Sequence, residues 1–219
     1  MNALTRGEWT FLVAVFVYSF IPSIVGLLRI PELLGGAVVV PVNPRAVIDP
    51  VPVVLHIMGS AVFCLLGAVQ FLPSLRRMRP AVHRRLGWCV AMSGAISALT
   101  GLWMTLAFVF PPALQGPLLF WARVILSLAM VGLICRAIVS IRLHHLPRHR
   151  AAMVRAYAIG QGASTQTVLF IGVMVALGVE PLGVDRDVLM VVAWGINIVA
   201  AEIAIRRVFG PKRALQRVM

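Results

Sequence analysis

Acidic residues are scarce in this chain of 219 residues, which has 7 Asp and Glu against 20 Lys and Arg. Charged residues of both signs make up 12% of the sequence, whereas a soluble domain carries roughly 25%. The chain therefore lacks the polar surface that keeps a protein of this size in water, and its mean hydropathy of +0.95 agrees. This composition argues against an ordinary soluble enzyme and indicates a protein of the lipid bilayer.

Cysteine and catalytic motifs are equally sparse. Cys64, Cys89 and Cys135 fall in three different apolar stretches without a C-x-x-C pair, so we expect no disulfide framework. The sequence contains no P-loop, no H-E-x-x-H and no nucleotide-binding fingerprint. Whether the protein is an enzyme is left open by the sequence.

The formal charge of +13 would indicate a nucleic-acid partner in a soluble protein. Here the basic residues lie in short segments between apolar runs, and no stacking aromatics alternate with them. We therefore expect no nucleic-acid partner.

Six apolar stretches reach the roughly 20 residues that cross the hydrocarbon core. They cover residues 9–28, 51–72, 88–110, 118–141, 154–177 and 188–208. Prolines such as Pro31, Pro80 and Pro147 lie between them, and we expect these prolines to end the helices. The sequence predicts an all-α fold, a bundle of six transmembrane helices that forms one integral membrane domain over residues 1–219.

Basic residues occupy alternate connections between these stretches. The three clusters are Arg76, Arg77, Arg79, Arg84 and Arg85; Arg142, Arg148, Arg150 and Arg155; and Arg206, Arg207, Lys212, Arg213 and Arg217. Because cytoplasmic loops are enriched in Lys and Arg, we predict an inner-membrane (plasma-membrane) protein with both termini in the cytoplasm. The first stretch is too long for a signal peptide and lacks a cleavage site after it.

Two of the basic turns are similar to each other. Pro80 is followed by His83-Arg84, and Pro147 by Arg148-His149-Arg150. A duplicated two-helix hairpin would place His83 and His149 in equivalent turns, which is the hypothesis that this similarity suggests.

Several short segments together resemble a known family. They are His56…Gly59-Ser60, Gln70-Phe71-Leu72-Pro73, Pro80…His83-Arg84, Gly101-Leu102-Trp103-Met104, the run from His149 to Ala158, Thr165-Gln166 and Ala201-Glu202…Arg206-Arg207. This combination is similar to the predicted bacterial membrane proteins catalogued as domain of unknown function 2306, over about residues 51–207. Ala152 stands where a Trp is expected, and Ile203 where an aromatic residue is common. The resemblance implies a multi-pass membrane fold and no particular activity.

His56 and Arg123 are the strongest candidates for a ligand site. His56 lies about five residues, and Arg123 about six residues, from the helix end that adjoins a connection poor in basic residues. Their depths in the bilayer therefore agree within a few Å. Ionisable side chains inside a bilayer are costly unless they have a partner. We therefore predict that both face one outward-opening polar cavity. In the alternative, Arg123 extends to the headgroups and His56 bonds a carbonyl.

A second set of polar residues lies deeper. Gln161 and Thr165 share a helix face, from which Gln166 is turned away, and Asn197 lies near the middle of the last stretch. These side chains either bind a ligand or hold helices together. Glu202 either pairs with Arg206 at i+4 or carries a proton.

Three functions remain open. The first is binding or transport of a small polar or anionic solute by His56, Arg123, Gln161, Thr165 and Asn197, with Glu202 as the inner proton or cation partner. The second is a membrane oxidoreductase, or its accessory subunit, that holds haem b or a quinone near His56 and Arg123. The third is a structural membrane subunit without a ligand, whose polar residues only pack helices. The lipid bilayer is an expected partner in all three cases. We expect no metal site, and homo-oligomeric assembly stays open.

Overall fold

The computed structural model describes residues 4–39 and 44–209, and within them every regular element is an α-helix. The elements are α1 (Arg6–Leu33), α2 (Pro44–Ile48), α3 (Pro50–Gln70), α4 (Pro73–Met78), α5 (Pro80–Ala107), α6 (Pro117–Arg142), α7 (Leu146–Gly160), α8 (Gly162–Leu177) and α9 (Gly183–Phe209). The predicted all-α fold is confirmed.

Six segments are long and apolar enough to span a membrane: α1, α3, α5, α6, α7 together with α8, and α9. Their outward faces carry large apolar side chains such as Trp121 and Val175, which are 61% and 82% exposed and contact the bilayer in a membrane protein. The helices α2 and α4 are short connections at opposite ends of the bundle. We call the end of the bundle where α5 meets α6 the α2 end, and the end where α6 meets α7 the α4 end.

Three prolines that were expected to end helices do not do so. Pro80 is the first residue of α5, and Pro147 lies in the first turn of α7. Proline is accepted there because the first N–H groups of a helix have no partner within it. As a consequence α5 and α7 begin earlier than predicted, and His83 and His149 lie in first turns rather than in connections. Likewise, α1 continues through Pro31 to Leu33.

The two predicted hairpins are both closely packed. Helix α3 makes its most extensive contacts with α5, and α6 makes its most extensive contacts with α7. Each pair carries its histidine, His83 or His149, at the start of the returning helix. The duplication itself stays a prediction.

Phe63 fills the centre of the core between α3, α5, α6 and α7, and it has no solvent exposure. A Cβ at Gly94 or Gly160 would approach the Phe63 ring to 2.5 or 2.6 Å. Glycine at these two positions therefore lets α5 and α7 approach α3 closely, as small residues do in membrane bundles.

Glu8 joins α1 to the α4 end, a role that the sequence interpretation missed. Its buried carboxylate accepts hydrogen bonds from the Thr5 N–H at 2.9 Å, the Ser74 N–H at 2.8 Å and the Ser74 hydroxyl at 2.7 Å. Thr5 and Glu8 also form a capping box at the start of α1. That Thr-x-x-Glu spacing was the available signal.

Candidate functional site

A cavity of about 300 Å³ lies between α3, α5, α6, the α7–α8 segment and α9. Its polar wall is formed by His56, Ser60, Ser97, Thr105, Arg123, Ser127 and Gln166. Its apolar wall is formed mainly by Met104, Leu126, Met130, Ile159, Met190 and Trp194. The volume is at the lower end of the range for small-molecule sites. The structure thus brings His56 and Arg123 to the wall of one cavity.

His56 is held by the neighbouring helix. Its Nδ1 lies 2.8 Å from the Ser97 carbonyl oxygen on α5. A carbonyl oxygen only accepts, so Nδ1 carries the proton and donates. In a neutral ring Nε2 is then an acceptor, and it has no hydrogen-bond partner among the described residues. The alternative prediction, in which His56 bonds a carbonyl, is therefore correct for Nδ1. It does not involve Nε2, which remains available to accept a hydrogen bond from a ligand.

Arg123 has neutral partners at the α2 end. Its Nη1 donates to the Gln115 side-chain oxygen, and its guanidinium carbon lies 5.3 Å from the centroid of the Phe110 ring. In the described part of the chain, no Asp or Glu oxygen forms a salt bridge with Arg123. The site therefore contains a cation without a matching anion.

Asp187, the acid whose charge acts on Arg123, is engaged elsewhere. It accepts from the N–H groups of Gly116 and Leu119, both at 3.1 Å, and so caps α6. A Cβ at Gly116 would lie 2.6 Å from an oxygen of Asp187, so glycine makes this cap feasible. With its oxygens committed to the helix terminus, Asp187 does not form an ion pair with Arg123.

The predicted residues Gln161, Thr165 and Asn197 lie together, but in a different place from the cavity wall. Thr165 Oγ1 donates to the Asn197 side-chain oxygen at 2.6 Å and also hydrogen-bonds the Tyr18 hydroxyl. Gln161 donates through Nε2 to the Tyr157 hydroxyl at 2.8 Å. These residues form a polar cluster at the junction of α7 and α8, with α1 and α9 beside it.

The junction explains why these amides are present. At Gln161 the span is interrupted between α7 and α8, and the Ser164 N–H bonds the Gln161 carbonyl, in the tighter i to i−3 pattern. The three preceding carbonyls accept side-chain donors instead. Ala158 accepts from Asn197 Nδ2 at 3.1 Å, Ile159 from Trp194 Nε1 at 3.2 Å and Gly160 from the Cys64 thiol at 3.4 Å. Backbone groups in lipid need such partners, so Asn197 and Trp194 stabilise the break.

Gln166 lines the cavity, although the sequence interpretation did not include it among the residues of the predicted site. It is turned away from Gln161, as predicted, and this orientation brings it to the cavity wall, where its Nε2 donates to the Met190 carbonyl at 3.3 Å. Trp194 was also missed. The signal for Gln166 was its position, since it is turned away from Gln161 on its helix, whereas Trp194 lies one turn before Asn197 on α9 and shares its face.

Glu202 lies toward the α4 end, apart from both groups. The predicted pairing with Arg206 is wrong. Arg155 on α7 binds the Glu202 carboxylate with two donors, Nε at 2.5 Å and Nη2 at 2.9 Å. Packing of α7 against α9 places a planar guanidinium opposite the carboxylate, and such two-point contacts are stronger than single ones. Arg206 is exposed.

Comparison with known proteins agrees with the resemblance seen in the sequence. No curated protein and no solved structure matches the chain. The profile of the family described as "Predicted membrane protein (DUF2306)" matches residues 53–205, from α3 to α9. This match covers more than half of the sequence, so the chain belongs to the DUF2306 family of multi-pass membrane proteins.

Proposed function

We propose that the protein binds a small amphipathic anion in the cavity lined by His56 and Arg123. The observation that carries this proposal is the guanidinium of Arg123 on the cavity wall, without a carboxylate partner in the described part of the chain.

The free energy of burying Arg123 favours an anionic ligand. An arginine at the centre of a bilayer costs about 2.5–3.5 kcal/mol on insertion scales, and the cost is smaller near the interface, toward which Arg123 lies. The Phe110 ring offsets about 0.5–2 kcal/mol by a cation–π contact, and Gln115 accepts from one of the five guanidinium N–H groups. An anion in the cavity would supply hydrogen-bond acceptors for the other N–H groups of the Arg123 guanidinium.

The rest of the wall specifies the remainder of the ligand. Apolar side chains, among them Met104, Leu126 and Trp194, form much of the lining beyond Arg123, which suits an apolar body. Nε2 of His56 would accept from a hydroxyl or amine group on that body. A ligand with one anionic end, an apolar body and one donor fits these three features.

Transport requires a path beyond the cavity. On this proposal the path toward the α4 end would run past Gln161, Thr165 and Asn197, which in this structure bond one another and the backbone. Binding is therefore the part of the original transport hypothesis that the geometry supports best.

Trp194 provides a direct assay. The other tryptophans, Trp9, Trp88, Trp103 and Trp121, are all exposed on the outer faces of the bundle. A variant with these four changed to Phe would leave Trp194 as the only fluorophore. In phosphatidylcholine nanodiscs, 8-bromooctanoate should quench Trp194, because its bromine would lie in the cavity, whereas 8-bromooctanol should quench at least about tenfold less effectively.

Arg123→Gln tests the guanidinium, and Arg136→Gln is the matched control because Arg136 lies exposed on the same helix. We expect Arg123→Gln to remove the preference for the carboxylate and Arg136→Gln to keep it. Equal quenching by acid and alcohol in the parent, or an unchanged preference in Arg123→Gln, would contradict the proposed function.

We further propose that the α4 end faces the cytoplasm of a bacterial inner membrane, which places the N-terminus there. Arg76 on α4 supports this orientation. Burial, followed by repulsion from the charges of Arg150 and Arg77, lowers its pKa. Anionic headgroups of the inner leaflet would reduce this repulsion between the arginines. The residues Lys212, Arg213 and Arg217 of the third cluster lie outside the described residues. A topology reporter fused after Met219 should indicate a cytoplasmic location, and a reporter fused near Pro112 should indicate a location on the outer side of the membrane. The reverse pattern would overturn this orientation.

A further inference from the structure

A second arginine lies beside the cavity at the α2 end. Arg45 belongs to the short helix α2, and its guanidinium carbon lies 4.8 Å from the centroid of Phe110, the ring that Arg123 contacts at 5.3 Å. Phe110 itself lines the cavity. The two guanidinium carbons are therefore about 10 Å apart or less, on a single aromatic side chain at one end of the cavity.

Arg45, like Arg123, has no anion in the described structure. Its Nε is buried and has no hydrogen-bond acceptor, and no carboxylate of the described residues forms a salt bridge with it. Arg186, also at the α2 end, has a buried Nε without an acceptor as well, but it pairs with Glu180 at 3.3 Å through Nη1. A buried N–H group without an acceptor is costly, so the Nε of Arg45 marks a place where an acceptor is missing.

We propose that Arg45 and Arg123 together bind a dianionic headgroup of the phosphomonoester type at Phe110, with the apolar body of the ligand in the cavity. This inference rests on the proposed function and specifies the charge and shape of the anion. Two guanidinium groups that form no salt bridge with a described carboxylate carry two positive charges, and a phosphomonoester carries nearly two negative charges above its second pKa of about 6. Its three terminal oxygens can accept from both planar guanidinium groups at once, whereas a carboxylate offers two oxygens and one charge.

The same chemistry could come from a lipid or from a soluble molecule. A lipid source would be phosphatidic acid entering from the bilayer, and a soluble source would be a phosphomonoester from the aqueous side. The cavity volume of about 300 Å³ suits a short apolar body in either case.

The test uses the Trp194-only protein in phosphatidylcholine nanodiscs at pH 8, with 8-bromooctyl phosphate and 8-bromooctyl sulfate as probes of equal chain length. Both probes offer three terminal oxygens, but only the phosphate carries nearly two negative charges at this pH, so we expect it to bind about tenfold more tightly. Arg45→Gln should abolish this preference while sulfate binding persists, and Arg45→Lys should restore part of it. Arg29→Gln is the control, because Arg29 lies toward the same end and pairs with Glu32 at 3.5 Å; it should behave as the parent.

Competition identifies the source. Phosphatidic acid added to the nanodisc would displace the probe if the ligand is a lipid, and butyl phosphate added to the buffer would displace it if the ligand is soluble. Equal affinities for the phosphate and sulfate probes in the parent, or a phosphate preference that survives Arg45→Gln, would overturn the inference and leave the proposed function intact. Absence of Trp194 quenching by either probe and by 8-bromooctanoate would overturn both.

Discussion

Replacing Asn197 with Leu tests whether the junction between α7 and α8 depends on side-chain donors. Leucine is close to asparagine in size and is accepted in lipid, so the substitution mainly removes polar atoms. Asn197 Nδ2 donates to the Ala158 carbonyl at 3.1 Å, and its Oδ1 accepts from Thr165 Oγ1 at 2.6 Å.

The expected loss follows from these two bonds. Thr165 keeps its contact with the Tyr18 hydroxyl, so losing Oδ1 should cost no more than the average interhelical hydrogen bond in a membrane, about 0.6 kcal/mol. Losing Nδ2 leaves the Ala158 carbonyl without a partner inside the span, which should cost about 1 kcal/mol or somewhat more. We expect Asn197→Leu to lower the free energy of unfolding by about 1.5–2 kcal/mol.

Equilibrium unfolding in mixed detergent and SDS micelles measures this change. The control is Thr167→Val, since the Thr167 hydroxyl is exposed and bonds only the Ala163 carbonyl of its own helix, at 2.8 Å. The control should change stability by less than about 0.5 kcal/mol. If Asn197→Leu is as stable as the parent, the junction carbonyls do not require side-chain donors and the explanation of Asn197 is wrong.

Three further substitutions and one spectroscopic measurement test other parts of the structure. Glu8→Gln should lower stability by about 1–2 kcal/mol, because charge-assisted bonds to Thr5 and Ser74 are weakened, and thermal unfolding checks it against exposed Glu180→Gln, expected to have little effect. Gly94→Ala should cost about 1–3 kcal/mol because its Cβ would meet Phe63 at 2.5 Å, whereas Gly132→Ala meets nothing within 4 Å and should be neutral or slightly stabilising; equal effects would refute the packing argument. Arg155→Gln should cost at most about 1 kcal/mol, since about a third of each side chain in its pair with Glu202 is exposed; a larger loss would show that the pair does more than join α7 to α9. Finally, the purified protein should show no Soret band, because His56 is the only histidine on the described cavity wall; a Soret band would favour the haem alternative.

The number and placement of the transmembrane helices could be predicted from hydropathy because each span is a continuous apolar run. The helix starts could not be predicted as well, since proline was taken only as a helix terminator. At Pro80 and Pro147 it occupies a first turn, where its missing N–H costs nothing. Proline followed by a helical pattern would have indicated the start of a helix.

The polar residues were recognised as unusual, but their grouping required the structure. Spacing along one helix correctly separated Gln161 from Gln166, yet it does not show which face meets the cavity. The role of Asn197 depends on an interruption at Gln161, and a single turn of altered bonding leaves no periodicity signal in an apolar run. The pairing of Glu202 with Arg155 depends on the packing of two helices, whereas the i+4 rule considers only residues of the same helix.

The scarcity of acids explains why the cavity is so cationic. Of the seven Asp and Glu residues, five have defined partners: Glu8 bonds Ser74, Asp187 caps α6, and Glu32, Glu180 and Glu202 pair with Arg29, Arg186 and Arg155. Asp185 lies in the first turn of α9, where a carboxylate stabilises the helix dipole, and Asp49 directly precedes α3 and makes no side-chain cap hydrogen bond to that helix. None of the seven lines the cavity described here. Arg45 and Arg123 both lie against the Phe110 ring, and no described carboxylate forms a salt bridge with either, so an anion from outside the protein is the partner that we propose for both.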